Sequence, residues 1–309
     1  MSEVSERRGL DIQGDVTIFV SVASYRDQDC TGTVLDLFSK ASVPSRVHVG
    51  VCLQVEIAAE DLNLPEGFAY HNNVSSMRMH AIEAKGPTFA RYLCSLLYKD
   101  QTYYMQIDAH MRFAPGWDQT VISMIEALPS KAILSTYPTD MKHYEKFIER
   151  GDFDFVPIMQ GIKFDPRGIP RPQAAVMRKK PAEPVPGVLV AAGMFFVRGK
   201  EFIRDVPFDR DLDDLFGGEE VLLSARLFTS GFQVYNPNVP LAFHRYHRPG
   251  EPRYWERFKN DTDSVQRMKY ILGLSERKPV HLTRLLDRFG LGASKPIQEF
   301  WTACSASPA

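Results

Sequence analysis

Residues Val16-Thr17-Ile18-Phe19-Val20-Ser21-Val22-Ala23 form a β-branched apolar run that stops abruptly at Ser24-Tyr25-Arg26-Asp27. Such a run predicts a strand buried in a sheet, and its polar end marks where the chain leaves it. From Gly32 the apolar positions Val34, Leu35, Leu37 and Phe38 follow helical spacing, and Val47 to Gln54 (VHVGVCLQ) reads as a second strand. The chain therefore opens with a β-α-β unit.

The alternation continues. Glu83-Ala84-Lys85-Gly86-Pro87 is turn chemistry that opens a helix from Thr88 to Tyr98, and Tyr103 to Ile107 forms the next strand. Val188 to Val197 is again strand-like, and Glu219 to Thr229 has helical spacing. Strands alternating with helices predict an α/β fold around a mostly parallel, doubly wound sheet, with ligands bound beyond the carboxyl ends of the strands.

One segment interrupts the pattern. Asp165 to Gly187 holds six prolines and the basic run Arg178-Lys179-Lys180, and is expected to be an extended, exposed loop. After Gly250 the chain becomes charged, and two more helices are expected. The expected division is a tail over 1–15, a catalytic domain over 16–250 and a helical extension over 251–309.

At 309 residues and 44% hydrophobic content the chain can close one large core. Its 37 basic and 38 acidic residues leave a formal charge of -1, so no global field attracts nucleic acid or an anionic membrane. Met1 to Leu10 is mostly charged and polar, and no uninterrupted run of about 18 apolar residues occurs. The expectation is a soluble, cytoplasmic protein without signal peptide or transmembrane anchor. Cys30, Cys52, Cys94 and Cys304 are widely scattered in sequence and are read as reduced, structural thiols.

Tyr103-Tyr104-Met105-Gln106-Ile107-Asp108-Ala109-His110 is an apolar strand ending in Asp-x-His. Strand alternation can point Asp108 and His110 to one side, offering a hard oxygen and an imidazole to one divalent cation. Mg²⁺ and Mn²⁺ complete octahedral sites with phosphate oxygens, and a histidine ligand tilts the choice toward Mn²⁺. By itself the triplet is equally an aspartate capping a turn beside a surface histidine. Phe243-His244-Arg245-Tyr246-His247-Arg248 supplies two more imidazoles. Of these His244, preceded by Leu241, Ala242 and Phe243, is the better placed to face inward.

Phosphate asks for cationic donors, and arginine presents a bidentate fork. Arg26 at the first strand end and Arg91 one turn into a helix could each reach a diphosphate, although surface ion pairs explain either one alone. Phe216-Gly217-Gly218-Glu219-Glu220 puts two carboxylates in a helix's first turn, where acidic residues are also simply favoured.

Taken together and in order, Ser21 to Asp27, Glu83 to Pro87 with Ala90-Arg91, Gln106 to Phe113, Phe216 to Glu220 and Phe243 to Tyr246 carry a resemblance. They resemble the cytoplasmic polypeptide N-acetylglucosaminyltransferases that modify hydroxyproline, and their bacterial relatives, across residues 16 to 250. The resemblance implies a GT-A fold, a UDP-sugar donor such as UDP-GlcNAc, Mn²⁺ and retention of anomeric configuration. It implies Asp108, His110 and His244 as metal ligands, with Asp108 also beside the donor. Ala23, Ser24, Tyr25 and Arg26 would line the nucleoside pocket, Arg91 would lie near the nucleotide, and Glu219 and Glu220 would face donor sugar and acceptor. The acceptor is a hydroxyl of a protein, a glycan or a lipid-linked sugar. Competing expectations are a nucleotidyltransferase on a similar sheet, although no Gly-rich loop with a following lysine is present, and an inactive nucleotide-binding scaffold.

Overall fold

The structure is a computed structural model that describes residues 16–151, 153–259, 261–279 and 286–305. The tail expected over 1–15 lies outside the described residues.

The first half builds the main sheet. It runs through β1 (Ile18–Tyr25), α1 (Cys30–Lys40), β2 (Val47–Val55), β3 (Val74–His80), α2 (Pro87–Ser95) and β4 (Tyr103–Asp108). Then come β5 (Met111–Phe113), α3 (Trp117–Glu126), β6 (Ala132–Ser135), β7 (Thr139–Asp140) and α4 (Tyr144–Arg150). The second half holds β8 (Val156–Phe164), β9 (Pro170–Met177), β10 (Val185–Gly187), β11 (Met194–Arg198), α5 (Gly199–Asp205), α6 (Glu219–Thr229), β12 (Gln233–Asn236) and β13 (Ala242–His244). It closes with α7 (Tyr254–Arg257), α8 (Thr262–Ile271), α9 (Leu286–Phe289) and α10 (Ile297–Ser305).

Eight strands form the main sheet in the order β10-β12-β6-β11-β4-β1-β2-β3. Neighbours among β3, β2, β1 and β4 are parallel, as are β6 and β12, while β11 and β10 run antiparallel to their partners. The expected mostly parallel α/β sheet is the one observed. Its strands alternate across two cores. Val20, Val22, Met105 and Ile107 meet α1 and α3 through Val34, Leu37, Trp117 and Val121. Phe19, Tyr104 and Phe195 point the other way, toward Phe202, Phe208 and Leu227. Coverage on both faces is why β1 reads as a continuous apolar run rather than as an alternation.

The register places Ala23 opposite both Asp108 and Cys52, so β1, β2 and β4 end at one level and leave an open carboxyl edge. A small sheet, β5-β13-β7, lies beyond that edge and pairs His244 with Met111 and Asp140. It joins the segment after Asp108 to the segment carrying His244.

The exposed loop expected over Asp165 to Gly187 contains two strands, β9 and β10, and the basic run Arg178-Lys179-Lys180 lies in the loop between them. β9 pairs with β8 in a two-stranded antiparallel sheet, and β10 adds to the edge of the main sheet on β12. Prolines break central strands because they lack an N–H donor, but a two-stranded ribbon has an outer side that needs none. After Gly250 four helices, rather than two, occur among the described residues. Met268, Ile271, Phe300 and Cys304 share one apolar cluster with Val221, Leu222 and Ala225 of α6, so these helices buttress the element that begins with Glu219. Among the described residues no helix is long and apolar enough to cross a membrane.

Candidate active site

A cleft of about 340 Å³ opens at the carboxyl edge of β1 and β4, within the size range of small-molecule sites. Asp108, the last residue of β4, lies on its floor, and His110 and His244 stand beside it.

The two histidines point their Nε2 atoms at each other across 2.9 Å, and His244 Nε2 lies 3.1 Å from Asp108 Oδ2. One ligand atom from each of the three residues falls within a 4.8 Å group. With ligand bonds of about 2.1 Å, two ligands at a right angle about one ion stand about 3 Å apart, which is the spacing found here. A carboxylate with two imidazoles suits a divalent first-row cation. The residues therefore fit a metal.

A further carboxylate orients the pair. His110 Nδ1 lies 2.7 Å from Oδ2 of buried Asp27, which also receives Arg248 Nη1 at 2.8 Å. A carboxylate only accepts, so Nδ1 of His110 carries the proton and its Nε2 keeps the lone pair a metal needs. By the same logic His244 Nε2 donates when no ion is bound, leaving its buried Nδ1 without a partner. Burial pushes His244 below the ordinary imidazole range, against the pull of Asp108. Burial opposes ionisation of Asp108, but the hydrogen bond from His244 and the electrostatic pull of His244, His110 and Arg91 outweigh it and hold that carboxyl well below the usual range.

The acidic pair enters from α6. Gly217 and Gly218 have φ of +82° and +87°, left-handed values that favour glycine. A Cβ on Gly217 would also fall 1.9 Å from Arg171 Nη1, so this turn admits both the backbone and the arginine. Glu220 does not simply cap the helix. Its Oε1 accepts from Ala192 N at 2.7 Å and its Oε2 from Tyr137 OH at 2.9 Å. Burial, reinforced by the neighbouring charge of Glu219, pushes Glu220 up to about 7 against those two donors and Arg91. Glu219 is also raised by burial, against Arg91 and Arg171, and its buried Oε2 has no protein partner.

Of the four β1-end residues expected at the nucleoside pocket, Ala23 and Tyr25 line the cleft. Ser24 is fully buried, because alternate residues of a strand face opposite sides. Arg26 turns away at φ +50° and pairs with Glu56 at 2.6 Å and Glu60 at 3.0 Å, so the pocket expectation narrows to Ala23 and Tyr25. Arg91 is buried in the cleft wall, 3.8 Å from Asp108 Oδ1. His247 is exposed and outside the cleft lining. Sequence reasoning did not single out Asp27, Tyr137, Arg171 or Arg248 for the site. Asp27 stood in the quoted strand end, whereas nothing local marks Tyr137 or Arg171.

A mostly parallel sheet with a candidate metal site at its carboxyl edge is the architecture this chain shares with GT-A glycosyltransferases. The comparisons agree. A family model described as Glycosyltransferase (GlcNAc) matches residues 17–65 and 65–309, and the chain belongs to that family. No curated protein sequence matches it. Among solved structures, GalNAc-T7 with UDP, GalNAc and Mn²⁺ superposes with a TM-score of 0.63 at 14% identity, over 95% of this chain and 58% of that one. S. aureus TarS 1-349 in complex with UDP-GlcNAc gives 0.54 at 12% identity, over 86% and 69%. This chain thus spans little more than half the length of the GalNAc-T7 chain it matches. At such identities the likeness is one of fold.

Proposed function

We propose that this glycosyltransferase is a metal-dependent, retaining enzyme that transfers GlcNAc from UDP-GlcNAc to an acceptor hydroxyl, with Asp108, His110 and His244 holding Mn²⁺. The observation that carries the proposal is the convergence of those three residues within the cleft that also contains Arg91 and the Glu219–Glu220 pair. Support for the donor comes from the GlcNAc family match and from the UDP, UDP-GlcNAc and Mn²⁺ named with the two similar structures.

When bound, the cation supplies positive charge opposite the leaving diphosphate. Arg91, beside Asp108, adds a fixed cation on the same side of the cleft, where charge develops as the glycosyl-phosphate bond breaks. Ala23 and Tyr25 line the nucleoside end. The unpartnered Oε2 of Glu219 accepts from a donor-sugar hydroxyl, and Glu220, held by Ala192 and Tyr137, orients the acceptor. A carboxylate so held is a poor candidate for a nucleophile. We therefore assign same-face attack: the acceptor oxygen bonds to the anomeric carbon as the phosphate oxygen leaves with its electron pair, and that phosphate takes the acceptor's proton.

A cytoplasmic location belongs to the same proposal. It is supported by Cys52 and Cys94, which share one buried cluster and remain free thiols.

The test is to incubate the purified protein with Mn²⁺ and a panel of nucleotide sugars and to measure free nucleoside diphosphate, then to repeat with EDTA. Release of UDP from UDP-GlcNAc that EDTA abolishes is expected. Pyrophosphate release from UTP would instead favour a nucleotidyltransferase, and nucleotide binding without metal or turnover would favour a scaffold.

A further inference from the structure

The cleft mouth carries two exposed aromatic faces. Tyr246 and Trp255 are each 45% exposed, and among the large exposed hydrophobics of the described residues they alone line the cleft. Trp255 lies on α7, its ring 4.5 Å from that of Phe216, the residue that leads into Gly217-Gly218-Glu219-Glu220. The Arg253 guanidinium sits 5.6 Å from the Trp255 ring centre. Also in the cleft lining, the Tyr246 ring stands 4.1 Å from that of His244, and its hydroxyl is tied to Pro138 O at 2.9 Å. Both rings are thus anchored, and both line the cleft that holds Glu219 and Glu220.

Resting on the reading above, we propose that the acceptor is a saccharide, whose terminal pyranose stacks on Trp255 while Arg253 and Glu220 engage its hydroxyls. An aromatic ring has a negative face and a positive edge. The slightly positive C–H groups on one face of a pyranose pack onto such a ring, and the equatorial hydroxyls radiate toward charged neighbours. A tryptophan left in water beside an arginine, in a cleft that also holds two carboxylates, offers both halves of that recognition.

The other acceptor chemistries fit less well. An extended peptide gains affinity by adding to a free sheet edge, but neither edge strand of the main sheet, β3 or β10, lines the cleft, and the one β9 residue that does, Arg171, reaches it with its side chain, packed against Gly217. An acyl chain needs an aliphatic track, and none of the exposed aliphatic side chains among the described residues lies there.

The experiment uses the full chain with Mn²⁺ and UDP-GlcNAc, and reads both UDP release to water and transfer to three panels: methyl glycosides, octyl glycosides, and serine, threonine or hydroxyproline peptides. Transfer to a glycoside is expected. Use of both glycoside panels marks a free glycan terminus, and use of the octyl panel alone marks a lipid-carried pyranose. Trp255→Ala should lose glycoside transfer at least tenfold more than it loses UDP release, through a raised acceptor KM, and Trp255→Phe should recover most of it. Transfer to peptides alone, or to no panel while UDP release proceeds, overturns the saccharide assignment and leaves the donor reading standing. An equal loss of both activities in a folded Trp255→Ala protein overturns the role of Trp255. Absence of any metal-dependent UDP release sinks the donor reading itself, and the inference with it.

Discussion

His110 and His244, 134 positions apart in the chain, bring their Nε2 atoms within 2.9 Å of each other. The two imidazoles gain one hydrogen bond from that arrangement, a modest return of about 1 kcal/mol for ordering two buried rings. The arrangement makes better sense as a preformed half of a coordination shell, completed by Asp108. β4 and the short turn that follows it deliver Asp108 and His110, and β13 delivers His244. The small β5-β13-β7 sheet locks the two segments together.

Asp108→Ala should abolish metal-dependent UDP release while leaving the fold intact, because Asp108 ends a strand at the cleft rather than filling the core. The loss should exceed the roughly 10–100-fold typical of changing an outer-shell partner of a metal. Turnover, Mn²⁺ titration and a melting curve check this together. A folded variant with full activity would remove the proposed metal site.

Asp27→Asn tests the outer partner. Asp27 accepts from His110 Nδ1 and Arg248, and an amide in its place can present a donor to Nδ1 and favour the wrong tautomer. Mn²⁺ affinity should fall about 10–100-fold with the ligands themselves untouched. Calorimetric titration of the folded variant measures it, and an affinity equal to wild type would release Asp27 from this role.

Metal binding should weaken on acidification, and only late. Protons compete with the cation for His244 Nε2, but burial pushes the His244 pKa below the ordinary imidazole value of about 6.5. The ring is therefore neutral over a wider range than a free histidine. Mn²⁺ affinity should stay level from pH 8 to the ordinary imidazole value and fall below it. A drop beginning above pH 7 would contradict the environment assigned to His244.

The legible parts of the site were local. Asp108-x-His110 follows an apolar strand, and its meaning depends on alternation within a few residues. Glu219 and Glu220 follow two glycines whose left-handed turn is likewise local. Ser24 and Arg26 were grouped with Ala23 and Tyr25 because the motif is contiguous, yet one strand cannot point four successive residues into one pocket. Tyr137 and Ala192 reach Glu220 from 83 and 28 positions away, and no spacing rule relates them to it. The two strands within Asp165 to Gly187 are not legible for a different reason. Proline counts report on backbone donors and cannot reveal a ribbon whose outer side needs none.

Glu220 joins function to stability with opposite signs. Its ionised form accepts from Tyr137 and Ala192, so transfer should fall as pH drops through the raised pKa of about 7. Tyr137→Phe removes a hydrogen bond that lowers that pKa, and should move the acid limb of the activity profile to higher pH. Glu220→Gln should reduce transfer more than nucleotide binding. For folding, a carboxyl whose pKa is raised above its unfolded value contributes stability that is fully present below about pH 4.5 and is lost as pH rises through about 7. Gln cannot ionise and escapes that loss. The variant should therefore match wild type in urea denaturation near pH 5 and exceed it near pH 8 by about 1–2 kcal/mol, a figure below the full pKa displacement because the site is partly open to water. A variant no more stable at pH 8 than at pH 5, relative to wild type, would mean that the charge on Glu220 is not strained in the folded protein.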